Sequence, residues 1–177
     1  MITRLSNGGP FASARELTLF PYSLANTMRI IKMSKKEEFP TRESLEKYFQ
    51  NDLFVSKIIG RFYLTKGRIR KEGPGALVPG ELLLFTWDTE LIRIGRSATQ
   101  QIFTDDGYER TAKGDLKKYP SYFVIEMDSL RVPKETLFQS DLNLVLTEIS
   151  GTEVKTANQG FNWIEESEKL QKWFEEL

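Results

Sequence analysis

The stretch PGELLLFTWDTELIRIGRSA, Pro79 to Ala98, decides how this chain is read. Leu82-Leu83-Leu84-Phe85 is apolar on both phases of a strand, as an interior strand covered on two faces requires. Leu91 to Ala98 follows at once across Asp88-Thr89, so the two segments are expected to pair as a β-hairpin. The connection lacks the glycine favoured in two-residue loops, which leaves its turn type open. In the second strand, alternation puts Ile92, Ile94 and Arg96 on one side and Leu91, Arg93 and Gly95 on the other. Gly95 marks a bulge or a close backbone approach. Arg93 and Arg96 therefore face opposite ways, and the one toward the core needs an acidic partner or an anionic ligand. Arg96 is the one expected to face a ligand.

Working outward, Ile58 to Thr65 (IIGRFYLT) is β-branched and aromatic and reads as a strand. It leads into a loop that starts basic and turns Gly/Pro-rich up to Pro79-Gly80. Thr41 after Pro40 can cap a short helix over 41–50, with Leu45, Tyr48 and Phe49 on one face. Met28 to Met33 alternates as a strand, and residues 1–27 read as an N-terminal extension to a single domain over 28–177. Tyr122 to Met127 is a further strand. Pro133 is placed to begin a short helical turn, and Leu142 to Ile149 suits either strand or helix. Glu153 to Thr156 reads as a weak strand. Asn162-Trp163-Ile164-Glu165 has capping-box spacing, which predicts a helix to about Phe174. The fold class expected is α+β: a small mixed or barrel-like sheet flanked by a few helices, one of them C-terminal.

Composition narrows the chemistry. The chain has no cysteine and no histidine, which excludes disulfides, thiolate or His-ligated zinc, and His-dependent nucleophile systems. At 40% hydrophobic, its 177 residues can bury a real core. There is no apolar run long enough to span a membrane and no apolar stretch of signal-peptide type at the start, so a cytoplasmic protein is expected. Basic and acidic residues balance at 25 each, but unevenly. Between Asp52 and Glu72 lie Lys57, Arg61, Lys66, Arg68, Arg70 and Lys71 without one acidic residue, while the C-terminus is rich in glutamate. Such a layout gives a neutral protein one positive face.

The order of elements, with Pro79-Gly80-Glu81-Leu82 entering the hairpin and Tyr119-Pro120-Ser121-Tyr122-Phe123-Val124-Ile125-Glu126-Met127-Asp128 after it, resembles the PUA-like superfamily. The likeness is to its EVE, ASCH and YTH branches and covers about residues 55–150. The loop over 105–118 is longer than that family's, and Arg93 and Arg96 stand where small or apolar residues are usual. The resemblance implies binding of RNA or DNA, with a modified or flipped base held in an aromatic pocket. One role open to such a reader is the specificity domain of a modification-dependent restriction system, with a partner protein or additional effector domain; the sequence leaves that role open.

The residues support the same function by a separate route. Stacking of unstacked bases needs aromatic faces, phosphates need cations spaced along a path, and a base edge needs donors or acceptors. Trp87 and Asp88, with Tyr63, Tyr108, Tyr119 and Arg96, are the candidate base-binding set. Arg61, Lys66, Arg68, Arg70 and Lys71 are the candidate phosphate contacts. No cofactor, metal or catalytic residue is assigned. Two other readings stand beside this one. Glu126, Asp128 and Lys134, or Asp105-Asp106 as a cation site, suggest a metal-dependent nuclease, although the spacing is poor. The C-terminal aromatics Trp163, Trp173 and Phe174 suggest a protein-interaction module.

Overall fold

The computed structural model describes residues 27–55, 58–64, 76–105, 107–110, 114–156, 162–165 and 167–177. Its centre is the hairpin read from the sequence: β3 (Leu82–Trp87) and β4 (Glu90–Ser97), antiparallel, with every residue of β3 buried. β1 (Thr27–Met33) runs parallel to β3 on its other side and carries β9 (Asn162–Glu165) on its first four residues. β8 (Ser121–Arg131) pairs with β4, with β2 (Arg61–Leu64) and with the short β5 (Ile102–Phe103). The order β2-β8-β4-β3-β1-β9 gives a mixed sheet that curls into a half-barrel. Between β5 and β8, β6 (Tyr108–Arg110) and β7 (Leu116–Lys118) form a two-stranded ribbon in the segment expected to be a long loop.

Alternation along the strands builds two cores. Inside the curl, Ile31, Met33, Leu83, Phe85, Phe62 and Phe123 meet the first helical run. That run is α1 (Arg42–Lys47), a π-helical turn Tyr48–Asp52 and a last turn, α2 (Leu53–Val55), and it contributes Leu45, Tyr48, Phe49 and Leu53. The Thr41 hydroxyl caps α1 by accepting the Ser44 N–H at 3.1 Å, as its position predicted. On the outer face, Met28, Ile30, Leu82, Leu84 and Ile94 meet α3 (Gln139–Ser150) and α4 (Glu168–Glu176). At the foot of this sheet Arg29 and Glu81, both buried, form a two-bond ion pair at 2.7 and 3.3 Å. Burial pushes the Glu81 carboxyl up, and Arg29 and the Val78 N–H pull it back only in part.

Several expectations change. The capping-box spacing at Asn162 does not start a helix: Asn162–Glu165 is β9, because Ile164 fills the outer core beside Met28. The helix begins after Ser167, whose hydroxyl accepts the Leu170 N–H at 3.2 Å. Residues 142–149 are helical. Neither Pro133 nor residues 153–156 enters a helix or strand. The simple alternation expected of β4 also fails. Phe85 faces Arg93 while Thr86 faces Leu91, so Ile92 is an extra residue on β4. This bulge turns Ile92 and Arg93 both toward the inner core and α1, and leaves Leu91 and Ile94 in the outer one. Gly95 marks a second irregularity: Met127 to Leu130 of β8 bow out opposite it, and a Cβ there would lie 3.4 Å from the Leu130 Cα.

Candidate nucleic-acid interface

β2 and β8 alternate in phase. Phe62, Leu64, Phe123 and Ile125 point into the curl, so Arg61, Tyr63, Tyr122 and Val124 stand on the outer side. Tyr63 lies directly opposite Tyr122, with ring centroids 6.0 Å apart and edge to face. On its other side Tyr63 meets Tyr119 at 5.5 Å with the planes 32° apart. The Arg61 guanidinium sits 4.5 Å from the Tyr122 ring centroid and donates from Nη1 to the Tyr63 hydroxyl at 3.0 Å. Its Nε is buried without a hydrogen-bond partner, and no carboxylate pairs with Arg61 among the described residues. Three of the residues chosen from sequence, Arg61, Tyr63 and Tyr119, are thus brought together, with Tyr122 as a fourth member not chosen. The signal for Tyr122 was available, since it falls out of phase with Phe123 and Ile125.

Beside this face the sheet is open. β9 covers β1 only to Ile30, and among the described residues no strand pairs with Ile31–Met33 on that side or with the outer edge of β2. The seam between them is a cleft of about 40 Å³, lined by Ile31, Lys32, Met33, Tyr63, Leu64 and Tyr119 and rimmed by Glu37 and Glu38. Tyr119 is buried, and its hydroxyl donates to Glu38 at 2.8 Å. Lys117 bridges Glu37 and Glu38 at 3.2 and 3.1 Å. Burial works against the Lys117 ammonium, but the hydrogen bonds and charges of Glu38 and then Glu37 outweigh it and hold its pKa above the ordinary lysine value.

The hairpin tip differs from the sequence expectation. Asp88 and Thr89 both adopt positive φ, 47° and 72°, the mirror-image conformation that a two-residue hairpin demands and that glycine usually supplies. Asp88 pairs with Lys35 at the surface. Trp87 is a core residue rather than an open stacking plate: it is 8% exposed, its Nε1 donates to the Phe39 carbonyl at 2.9 Å, and the Lys35 ammonium lies 5.3 Å from its ring centroid. Beneath the turn Trp87 lines the wall of a second cleft, of about 110 Å³, with Lys32, Met33, Thr86, Gln139 and Thr156. Neither cleft approaches the roughly 300–1,000 Å³ of a small-molecule pocket, so neither is a ready-made box for a base.

The remaining candidates lie elsewhere. Arg96 lies 5.6 Å from the Phe174 ring centroid and donates to the Gly80 carbonyl at 3.3 Å, which ties β4 to α4. Arg93, as expected of the partly buried arginine, pairs with an acid: Glu46, over the Phe49 ring. Tyr108 is half exposed and opposes Lys118 on the face of the ribbon away from Lys117, apart from the other tyrosines. Lys66, Arg68, Arg70 and Lys71 lie outside the described residues. Glu126 and Asp128 are exposed where β8 bows, and no group of three acidic side chains suited to a metal occurs among the described residues. Of the C-terminal aromatics, Phe174 is buried on the chain's own sheet and Trp173 packs against the same core. No helix among the described residues is long and apolar enough to cross a membrane. No protein-family model, curated protein or solved structure matches this chain.

Proposed function

We propose that this protein binds nucleic acid across the outer face of β2 and β8. What carries the reading is the joined set Arg61, Tyr63 and Tyr122, with the buried Tyr119 supporting Tyr63 from behind: an arginine with no carboxylate partner among the described residues, stacked on one tyrosine and hydrogen-bonded to another. Bases stack on aromatic rings and on guanidinium planes without regard to sequence, and a guanidinium with no carboxylate partner suits phosphate oxygens. In sequence this strand continues directly into Lys66, Arg68, Arg70 and Lys71, which places four further cations close along the chain. The PUA-like resemblance of residues 55–150 supports the same function. The small clefts favour unpaired bases lying on the tyrosine face over a base swallowed by a preformed pocket.

The test is a titration of the full chain with labelled single-stranded and duplex oligonucleotides, run at several salt concentrations. Single strands should bind more tightly than duplex, with affinity falling linearly in log–log form as salt rises. Tyr63→Ala and Tyr122→Ala should each weaken binding by about 1–3 kcal/mol, and Arg61→Gln should reduce the salt slope by about one. Absence of binding to either form at low salt would end this reading.

A further inference from the structure

We propose that Glu38 is a positioning residue for the tyrosine face: it fixes Tyr119, Tyr119 fixes the tilt of Tyr63, and that tilt sets how well an unpaired base is held. The inference rests on the reading of β2 and β8 as a nucleic-acid surface. Its links are continuous. The Tyr119 hydroxyl donates to Glu38 Oε1 at 2.8 Å, and the Tyr119 ring meets Tyr63 with centroids 5.5 Å apart and planes at 32°. Tyr119 is buried, so its part is to back Tyr63 rather than to carry a base itself. From the other side Arg61 holds the Tyr63 hydroxyl at 3.0 Å. A ring locked by its neighbours loses less freedom when a base stacks on it, and that saving appears as affinity.

Glu38 is itself held. The Ser34 carbonyl accepts the N–H groups of Glu38 and Phe39 at 3.1 and 2.8 Å, and the Ser34 hydroxyl accepts the Glu37 N–H at 3.1 Å. The Phe39 carbonyl accepts the Trp87 indole N–H at 2.9 Å, which ties this turn to the end of β3. Buried Trp87 thus supports the tyrosine face through the turn. Lys117 donates to Glu38 Oε1 at 3.1 Å and lies 5.3 Å from the Tyr119 ring centroid, so one cation holds both the acid and the ring. A carboxylate near the face also repels phosphates, so its field alone disfavours a nucleic acid. Position and field therefore predict opposite signs when Glu38 is removed.

The experiment titrates the full chain with two strands of equal length, an oligothymidylate and the same sugar-phosphate backbone made abasic throughout. Wild type should prefer the thymidylate, since only that strand has bases to stack. Glu38→Ala and Tyr119→Phe should each reduce the preference about fivefold, within the range for residues that act through a neighbour. Affinity for the abasic strand should hold in Tyr119→Phe and rise in Glu38→Ala. Glu38→Gln should keep the preference near wild type, because its amide oxygen still accepts the Tyr119 hydroxyl. In the free chain, the Tyr63 ring resonances should move in Glu38→Ala and Tyr119→Phe and stay in place in Glu38→Gln. A preference undiminished in both variants overturns the positioning role and leaves the tyrosine face in place. So does an equal loss for both strands, which would make Glu38 merely structural. Wild type that binds the two strands equally removes stacking, and wild type that binds neither removes the nucleic-acid reading; this inference falls with either.

Discussion

Arg29 and Glu81 lie at 1% and 0% exposure, and Glu81 also accepts the Val78 N–H at 3.1 Å, so the ion pair is held out of solvent. Removing one charge leaves the other buried without its opposite charge, which costs about 3–5 kcal/mol. Glu81→Gln should therefore lower the urea midpoint sharply. The double variant Arg29→Met, Glu81→Leu should recover most of that loss, because matched apolar side chains need no compensation there. A double variant as unstable as the single one would show that the pair does more than satisfy itself. The sequence held clues to this pair: an arginine inside the apolar run of β1 and a glutamate ahead of an all-apolar strand. What it could not show was that a parallel pairing, β1 on β3, brings residues 52 apart in sequence together. The turn residues illustrate the same limit. Asp88 and Thr89 read as a turn from sequence, but their left-handed conformation follows from the twist of the strands they join and from no preference of threonine.

At the scale of elements, periodicity served well where an element is covered on a known side. The β3–β4 hairpin, the helix after Thr41 and the β8 strand were all legible, since their apolar spacing reflects burial directly. It failed where a tertiary partner decided the outcome. Ile164 in a capping-box context becomes strand because the edge of β1 is free to take it, and the helix starts late at Ser167. Once formed, α4 is pinned at its C-terminal end by two cations. Arg96 and Arg131 flank Phe174 at 5.6 and 5.4 Å, and Arg131 donates to the Phe174 carbonyl at 2.8 Å. This is the end of a helix where positive charge is favoured. Phe174→Ala should cost about 3–5 kcal/mol, the range for a buried phenylalanine. Hydrogen exchange should locate the loss first in α4 and β9, and equal loosening of β2 would contradict that placement.

For the whole molecule, the clasp across the half-barrel is electrostatic. Lys117 on the ribbon holds Glu37 and Glu38 in the turn that follows β1, and Tyr119 reaches the same Glu38. The Lys117 pKa is raised in the folded chain, so its contribution is complete below the ordinary lysine value of 10.5 and is lost as pH climbs through the raised one. Relative to wild type, Lys117→Met should be less stable at neutral pH, with the gap closing above pH 10.5 in a series of urea titrations. A gap that stays constant across that window would deny the clasp its charge. The candidate site was legible in part at this scale. Aromatic and basic residues around β2 were visible, while the meeting of Tyr63, Tyr119 and Tyr122 depended on the pairing of β2 with β8. Trp87 was misleading because an indole at a strand end looks the same in sequence whether it faces solvent or the Phe39 carbonyl.

The seam beside that clasp has a consequence for solubility. Ile31–Met33 and the outer edge of β2 present strand backbone with no strand partner among the described residues, the kind of template on which a second extended chain can add. Lys32 within that edge, with Glu37, Glu38 and Lys117 close about it, places charge where an incoming strand would have to lie. An incoming strand would have to bury those charges, so conditions that neutralise them are where strand addition at this edge is expected to begin, which light scattering across pH would check.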